Sequence, residues 1–230
     1  MAASPRRTPL TPLPFAEQVE IFTRFEAANP SPRTELDYSN AFTLLVAVSL
    51  SAQATDVGVN RATKGLFAAA DTPQKMLALG EAGVTEHIRT IGLFRQKARN
   101  IIRLSELLIE RHGGEVPSSR AALMALPGVG RKTANVVLNG IWGMPAQAVD
   151  THIFRVANRT RIAPGRDVNE VERAIEDNVP APFQTVLSGG WWKFAAGDLR
   201  CGEDYVIMRR DQWRWRREAR RGSPSRRPCA

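Results

Sequence analysis

Lys132 stands two residues past the turn in "LPGVGRKTANVVLNGIW", and the acidic Asp150 follows it in "AVDTHIFRV". An amine and a carboxylate together can do chemistry on a sugar. A lysine amine is a nucleophile that forms a Schiff base with a sugar aldehyde. A carboxylate can take a proton from that amine or stabilise positive charge developing on the sugar. Each residue also has a plainer explanation. Lys132 would serve equally as a phosphate contact, and the residues alone leave these two readings even. Asp150, just before Thr151, is a good helix N-cap.

The elements around the pair have a recognisable form. A short helix, the turn Leu126 to Gly130, and a second helix make a helix-hairpin-helix. Gly128 and Gly130 let the backbone turn tightly and approach another surface closely. Val129, between them, can anchor the turn in the core. The second helix begins at the turn, so its first-turn N–H groups and positive dipole end face outward. That end is an anion site suited to a DNA phosphate. Arg131 and Thr133, flanking Lys132, join Gly128, Val129 and Gly130 as candidate DNA contacts. Such a hairpin fixes a duplex by its backbone and reads little sequence. A tight helix connection without a ligand is the alternative. A lysine in a first helical turn opposes the dipole, so helix stability does not explain Lys132. The helix spacing predicts a span from Arg131 to Trp142, about 18 Å long. Residues 143–149 can return over roughly 23 Å, enough to bring Asp150 back to the end where Lys132 sits.

The remaining pattern is helical throughout, with no alternating strand runs. Helices are expected over Phe15–Ala28, Ala41–Gln53, Asp56–Ala69, Glu81–Thr90, Phe94–Arg111, Thr151–Arg159 and Asn169–Asn178, with a start at Thr72-Pro73 and a short one ending at Ala125. Ala41–Gln53 is apolar nearly all round, so it should be central, with Asn40 as its cap. Ser119 should cap the short helix.

Bulk properties narrow the class. The apolar fraction is 43%, ordinary for a globular protein of 230 residues. No apolar run is long enough for a membrane span. The net charge of +9 points to an anionic partner, most often nucleic acid. That charge is uneven. Residues 185–230 hold ten arginines and one lysine against five acids, a net +6, which leaves +3 for the rest. Four of the five tryptophans lie there too. This tail could be a nucleic-acid-binding arm or an unselected reading frame of a GC-rich gene. Residues 1–14 read as a disordered, proline-rich leader, with a transit peptide as the alternative. Two cysteines, Cys201 and Cys229, fit neither a disulfide framework nor metal-ligand spacing, and imply a reducing cytoplasm.

With "LLVAVSLSAQATDVGVN" and "IRTIGLF" upstream, "ALPGVGRKTANVVLN" and "AVDTHIFRV" resemble endonuclease III, a family of bifunctional DNA glycosylase/AP lyases of base-excision repair. The resemblance covers about residues 16–184. It implies an all-α, two-lobed fold: a six-helix barrel over 35–146 with the hairpin, and a second lobe from 15–34 plus 147–184. It implies double-stranded DNA with a damaged base or abasic site as partner, and a flipped-out oxidised pyrimidine as substrate. Lys132 would attack C1′ and β-elimination would cut 3′ to the site, with Asp150 as the catalytic aspartate. Gln53 would fill the gap left by the flipped base, Leu93 would wedge at the DNA face, and His152 would neighbour a phosphate. Each of these three also has an ordinary structural reading. A monomer acting in the cytoplasm at the nucleoid is expected. A non-catalytic hairpin protein that binds DNA is the rival.

The tail departs from the family. Relatives end in four cysteines spaced C-x6-C-x2-C-x5-C that bind a [4Fe–4S] cluster, and such ligation takes four thiolates. An ungapped continuation puts Leu199, Val206, Arg209 and Trp215 at those positions. No cluster and no other metal or cofactor is expected.

Overall fold

The computed structural model describes residues 11–28, 34–180 and 183–184. The tail from 185, with Cys201 and Cys229, lies outside the described residues. All regular structure among the described residues is helical: α1 (Phe15–Ala28), α2 (Ala41–Leu50), α3 (Asp56–Ala69), α4 (Pro73–Ile88), α5 (Phe94–His112), α6 (Arg120–Met124), α7 (Arg131–Trp142), α8 (Thr151–Thr160) and α9 (Val168–Asn178). None of them is long and apolar enough to cross a membrane. Two compact units divide the described chain, one of residues 34–148 with 183–184, the other of 11–28 with 149–180.

The first unit holds α2 to α7. Its centre is α2, where Phe42 to Val48 and Leu50 are all buried. A helix apolar all round must be surrounded, and α3, α5 and α7 pack against it. Polar residues close its N-terminus. Thr43 N–H donates to Asn40 Oδ1 at 2.8 Å, and Asn40 N–H donates to Thr43 Oγ1 at 3.0 Å. This reciprocal box satisfies two helix-end donors. Thr55, Thr72 and Ser119 cap α3, α4 and α6 one-sidedly, their side chains accepting from Gly58, Lys75 and Ala122 N–H. Gly80, with φ of 71°, breaks α4 into two helical pieces. The second piece is the segment expected to begin at Glu81.

Helix α2 is three residues shorter than its apolar pattern suggests. It ends at Leu50, and Gln53 lies in a turn with φ of 56°. The cause is a partner 47 residues away, since Leu50 O accepts a hydrogen bond from Lys97 Nζ.

The second unit holds α1, α8 and α9. Gln18, Ile21 and Phe22 of α1 are buried, as are Val156 and Ala157 of α8 and Val171, Ile175 and Val179 at α9. Asp167 caps α9 by accepting from Asn169 and Glu170 N–H. Residues 11–14, expected to belong to a disordered leader, are tied down. Leu13 N–H donates to Arg161 O at 2.8 Å, Arg161 Nε donates to Thr11 O at 3.0 Å, and Gln18 Nε2 donates to Leu13 O at 2.9 Å.

Candidate active site

The hairpin turn is built from one left-handed glycine and one buried valine. Gly128 has φ of 77°, a left-handed conformation that side chains disfavour. It also backs onto α5, because a Cβ there would meet Asn100 Nδ2 at 3.0 Å. Val129 is buried, and its N–H donates to Leu126 O at 3.2 Å. The valine therefore anchors the turn through its side chain and spends its donor within it. Gly130 behaves differently from the expected tight-turn glycine. Its φ is −87° and a Cβ on it would meet nothing within 4 Å. It is the exposed N-cap of α7, with no side-chain cap of its own. Helix N-termini of this kind favour anions.

Lys132 is exposed in the first turn of α7, beside exposed Arg131 and half-buried Thr133. The chain after α7 runs back along it. Asn139 Nδ2 donates to Met144 O at 2.8 Å, and one turn earlier Asn135 Nδ2 donates to Gln147 O at 2.7 Å. Asn135 is three residues from Lys132, so the return does reach the first turns of α7. Gln147 is itself buried and its Nε2 donates to Gln184 O at 2.6 Å. These tethers escaped sequence reading. Their signal is two asparagines four apart on one helix face, Asn135 and Asn139.

Asp150 belongs to the other unit and caps α8. Its Oδ1 accepts from Ile153 N–H at 2.9 Å, and its carbonyl accepts from Phe154 N–H at 2.8 Å. The expected cap is therefore present. His152 follows within α8, and its side chain lies outside the described residues.

Gln53 and Leu93 lie back in the first unit, together. Both are exposed, and both are non-glycine residues in the left-handed region, at φ of 56° and 60°. Leu93 is 65% exposed, which removes the core explanation for it. The turns that carry them are neighbours, since a Cβ on Gly92 would lie 4.0 Å from Gln53 O. Behind them is Lys97, only 8% exposed, whose Nζ donates to Leu50 O at 2.9 Å and Ala52 O at 2.7 Å. Burial pushes its ammonium below the usual lysine range. Sequence reading missed it too, although a lysine in the apolar stripe of α5 was the available signal.

Residues 46–181 match the family model described as HhH-GPD superfamily base excision DNA repair protein. The chain is 54% identical over 192 residues to endonuclease III of Escherichia coli K12, covering 81% of this chain and 91% of that protein. The chain belongs to the endonuclease III family. Endonuclease III of Treponema pallidum is 52% identical over 188 residues, 80% of this chain and 89% of that one. A solved structure of a trapped endonuclease III–DNA covalent intermediate superposes with a TM-score of 0.73 at 42% identity, covering 79% of this chain and 86% of that one. Like its family, this endonuclease III-type protein is a DNA glycosylase and AP lyase of base-excision repair.

Proposed function

We propose that this chain removes oxidised pyrimidines from double-stranded DNA through Lys132 and then cuts the strand at the abasic site. The observation that carries this reading is the exposure of Lys132 in the first turn of α7, two residues past the hairpin. A phosphate held at Gly130 and the α7 dipole would fix the sugar backbone next to an amine. The amine attacks C1′ of the flipped nucleotide, the C1′–N bond to the base breaks, and the base leaves with a proton. Ring opening gives a Schiff base between Nζ and C1′. Loss of a C2′ proton then drives β-elimination, which breaks the C3′–O bond. We assign to Asp150 the proton from the amine, or the balancing of charge on the sugar. A related endonuclease III has been trapped covalently on DNA, which supports a covalent route here.

Gln53 and Leu93 are assigned to the gap and the wedge, and His152 to a neighbouring phosphate. Lys132, Asp150 and the hairpin all come from one chain, so a monomer suffices, and its substrate places it at the cytoplasmic nucleoid. The family's cluster does not fit this sequence. Four thiolates are needed and the chain has two cysteines, so no step is assigned to iron.

Borohydride trapping on abasic-site DNA tests the reading. The wild type should form a covalent adduct. Lys132→Ala should form none, while its DNA affinity falls only modestly. An adduct of normal yield with the alanine variant would remove Lys132 as the nucleophile. Binding without any adduct by the wild type would favour the non-catalytic rival.

A further inference from the structure

A buried ammonium is a costly way to finish a helix. The turn after α2 could be closed by a C-terminal glycine and water, as many are. Instead Lys97 crosses from α5 and places Nζ between two carbonyls, Leu50 O and Ala52 O, at 2.9 and 2.7 Å. Both acceptors are neutral, so no carboxylate offsets the burial of charge. The negative end of the α2 dipole offsets part of it. The two carbonyls straddle Ser51, and the second, Ala52 O, belongs to the residue just before Gln53. The ammonium therefore dictates where the chain leaves α2, and holds Gln53 in a backbone conformation that non-glycine residues avoid. Lys97 also acts through its backbone. Its N–H donates to Leu93 O at 3.0 Å, closing the first turn of α5 onto the other left-handed residue. One residue thus touches both strained turns, and those turns are neighbours, since a Cβ on Gly92 would lie 4.0 Å from Gln53 O.

We propose that Lys97 is a positioning residue for base flipping, whose buried ammonium locks Gln53 and Leu93 into a single preformed wedge. This rests on the reading that Gln53 and Leu93 enter the duplex. Lys97 touches no DNA and takes no part in bond breaking. Its contribution is to opening the stack and filling the gap. Without it the turn at residues 51–54 is released to other conformations, and the wedge must be ordered on binding.

The test is a double-mutant cycle on the full-length protein, using Lys97→Met and Gln53→Ala. Met keeps the length and apolar bulk of the stem and removes the ammonium. Single-turnover excision is followed on a duplex with one thymine glycol, below the thermal midpoint of every variant. Lys97→Met should slow it about tenfold, and less than about twofold in the Gln53→Ala background, because the two residues act as a unit. Scission at an abasic site in a single-stranded oligonucleotide, which has no stack to open, should change less than about twofold. Lys97→Gln, which keeps an uncharged NH2 donor group for the carbonyls, should recover part of the duplex rate. It also replaces Lys97→Met in the cycle if that variant does not fold. Equal losses on duplex and single strand, or the same factor in both backgrounds, would make Lys97 merely structural and overturn the proposal. Full duplex activity in Lys97→Met beside an impaired Gln53→Ala would overturn it and leave the wedge reading standing. An unimpaired Gln53→Ala would bring down the wedge reading, and this proposal with it.

Discussion

The two hairpin glycines should separate cleanly on substitution, because the structure gives them different reasons to be glycine. Gly128→Ala places a Cβ at φ of 77°, at a cost of ~1–2 kcal/mol for the left-handed region. The new methyl also lies 3.0 Å from Asn100 Nδ2 and 3.3 Å from Asn100 Cβ. Asn100 can give way only by disturbing its bond from Gln96 Nε2, now 2.9 Å, which adds ~0.5–1 kcal/mol. A loss of about 1.5–3 kcal/mol follows, or ~3–12 °C in melting temperature for a chain of this size. Gly130→Ala meets neither obstacle, since its φ is −87° and no atom lies within 4 Å of the new methyl. Its stability should stay within ~0.5 kcal/mol of wild type. If the α7 terminus grips a phosphate, that methyl blocks the approach, and affinity for abasic-analogue duplex should fall about tenfold or more. Thermal denaturation and fluorescence anisotropy on the same preparations decide it. Equal destabilisation by both variants would refute the conformational argument. Wild-type affinity in Gly130→Ala would refute the phosphate site.

Asp150→Asn should lower turnover by ~10²–10⁴-fold while changing stability by only a few tenths of a kcal/mol, since asparagine caps a helix as well as aspartate does, measured by single-turnover kinetics and melting; unchanged activity per folded molecule would leave only the cap. Glu170 is held at a pKa of about 2, below its ordinary 4.5, chiefly by its side-chain bonds to Arg166, whose backbone N–H also donates to it. A depressed carboxylate stabilises the fold above its unfolded pKa. The melting-temperature gap between wild type and Glu170→Gln should therefore be full above pH 4.5 and close as pH falls towards 2. Purified protein should contain no stoichiometric iron by metal analysis, and iron at four per chain would reverse the cluster assignment. Truncation after Gln184 removes a net +6 and should flatten the salt dependence of DNA affinity.

What could be read in advance was whatever a helix decides for itself. The starts of α2, α4 and α6 follow from Asn40, Thr72-Pro73 and Ser119, since a cap and its helix are within four residues of one another. The break at Gly80 belongs to the same class, and so does the cap role of Asp150. Exposure was harder. Leu93 in "TIGLF" has the composition of a core residue, and only the fold shows that its side chain faces water. The end of α2 could not be read at all. Nothing in "VSLSAQA" distinguishes Leu50 from Gln53 as a last helical residue, because the decision is made by a cation 47 positions later. Similarly, the path from α7 back to its own start is set by Asn135 and Asn139 gripping carbonyls of an otherwise featureless return.

These two kinds of contact divide the labour of the site. Local sequence fixes where helices begin, through a side-chain cap at α2 and the hairpin glycine at α7, so Lys132 is placed in a first turn by nothing more than its distance from Gly130. Long-range polar tethers fix how segments leave their helices, and each one here grips a segment that carries a candidate contact: Lys97 the turn of Gln53, and Asn135 with Gln147 the stretch that leads to Asp150. An apolar core could not do this work. Hydrophobic packing is non-directional and tolerates small shifts, whereas a donor gripping a named carbonyl fixes a backbone position to within a few tenths of an ångström. A base that must leave its stack and meet an amine tolerates little error in placement. On the proposed reading, the buried Lys97, Asn135 and Gln147 would serve the repair chemistry by fixing the backbone that carries its residues, without themselves meeting the reacting atoms.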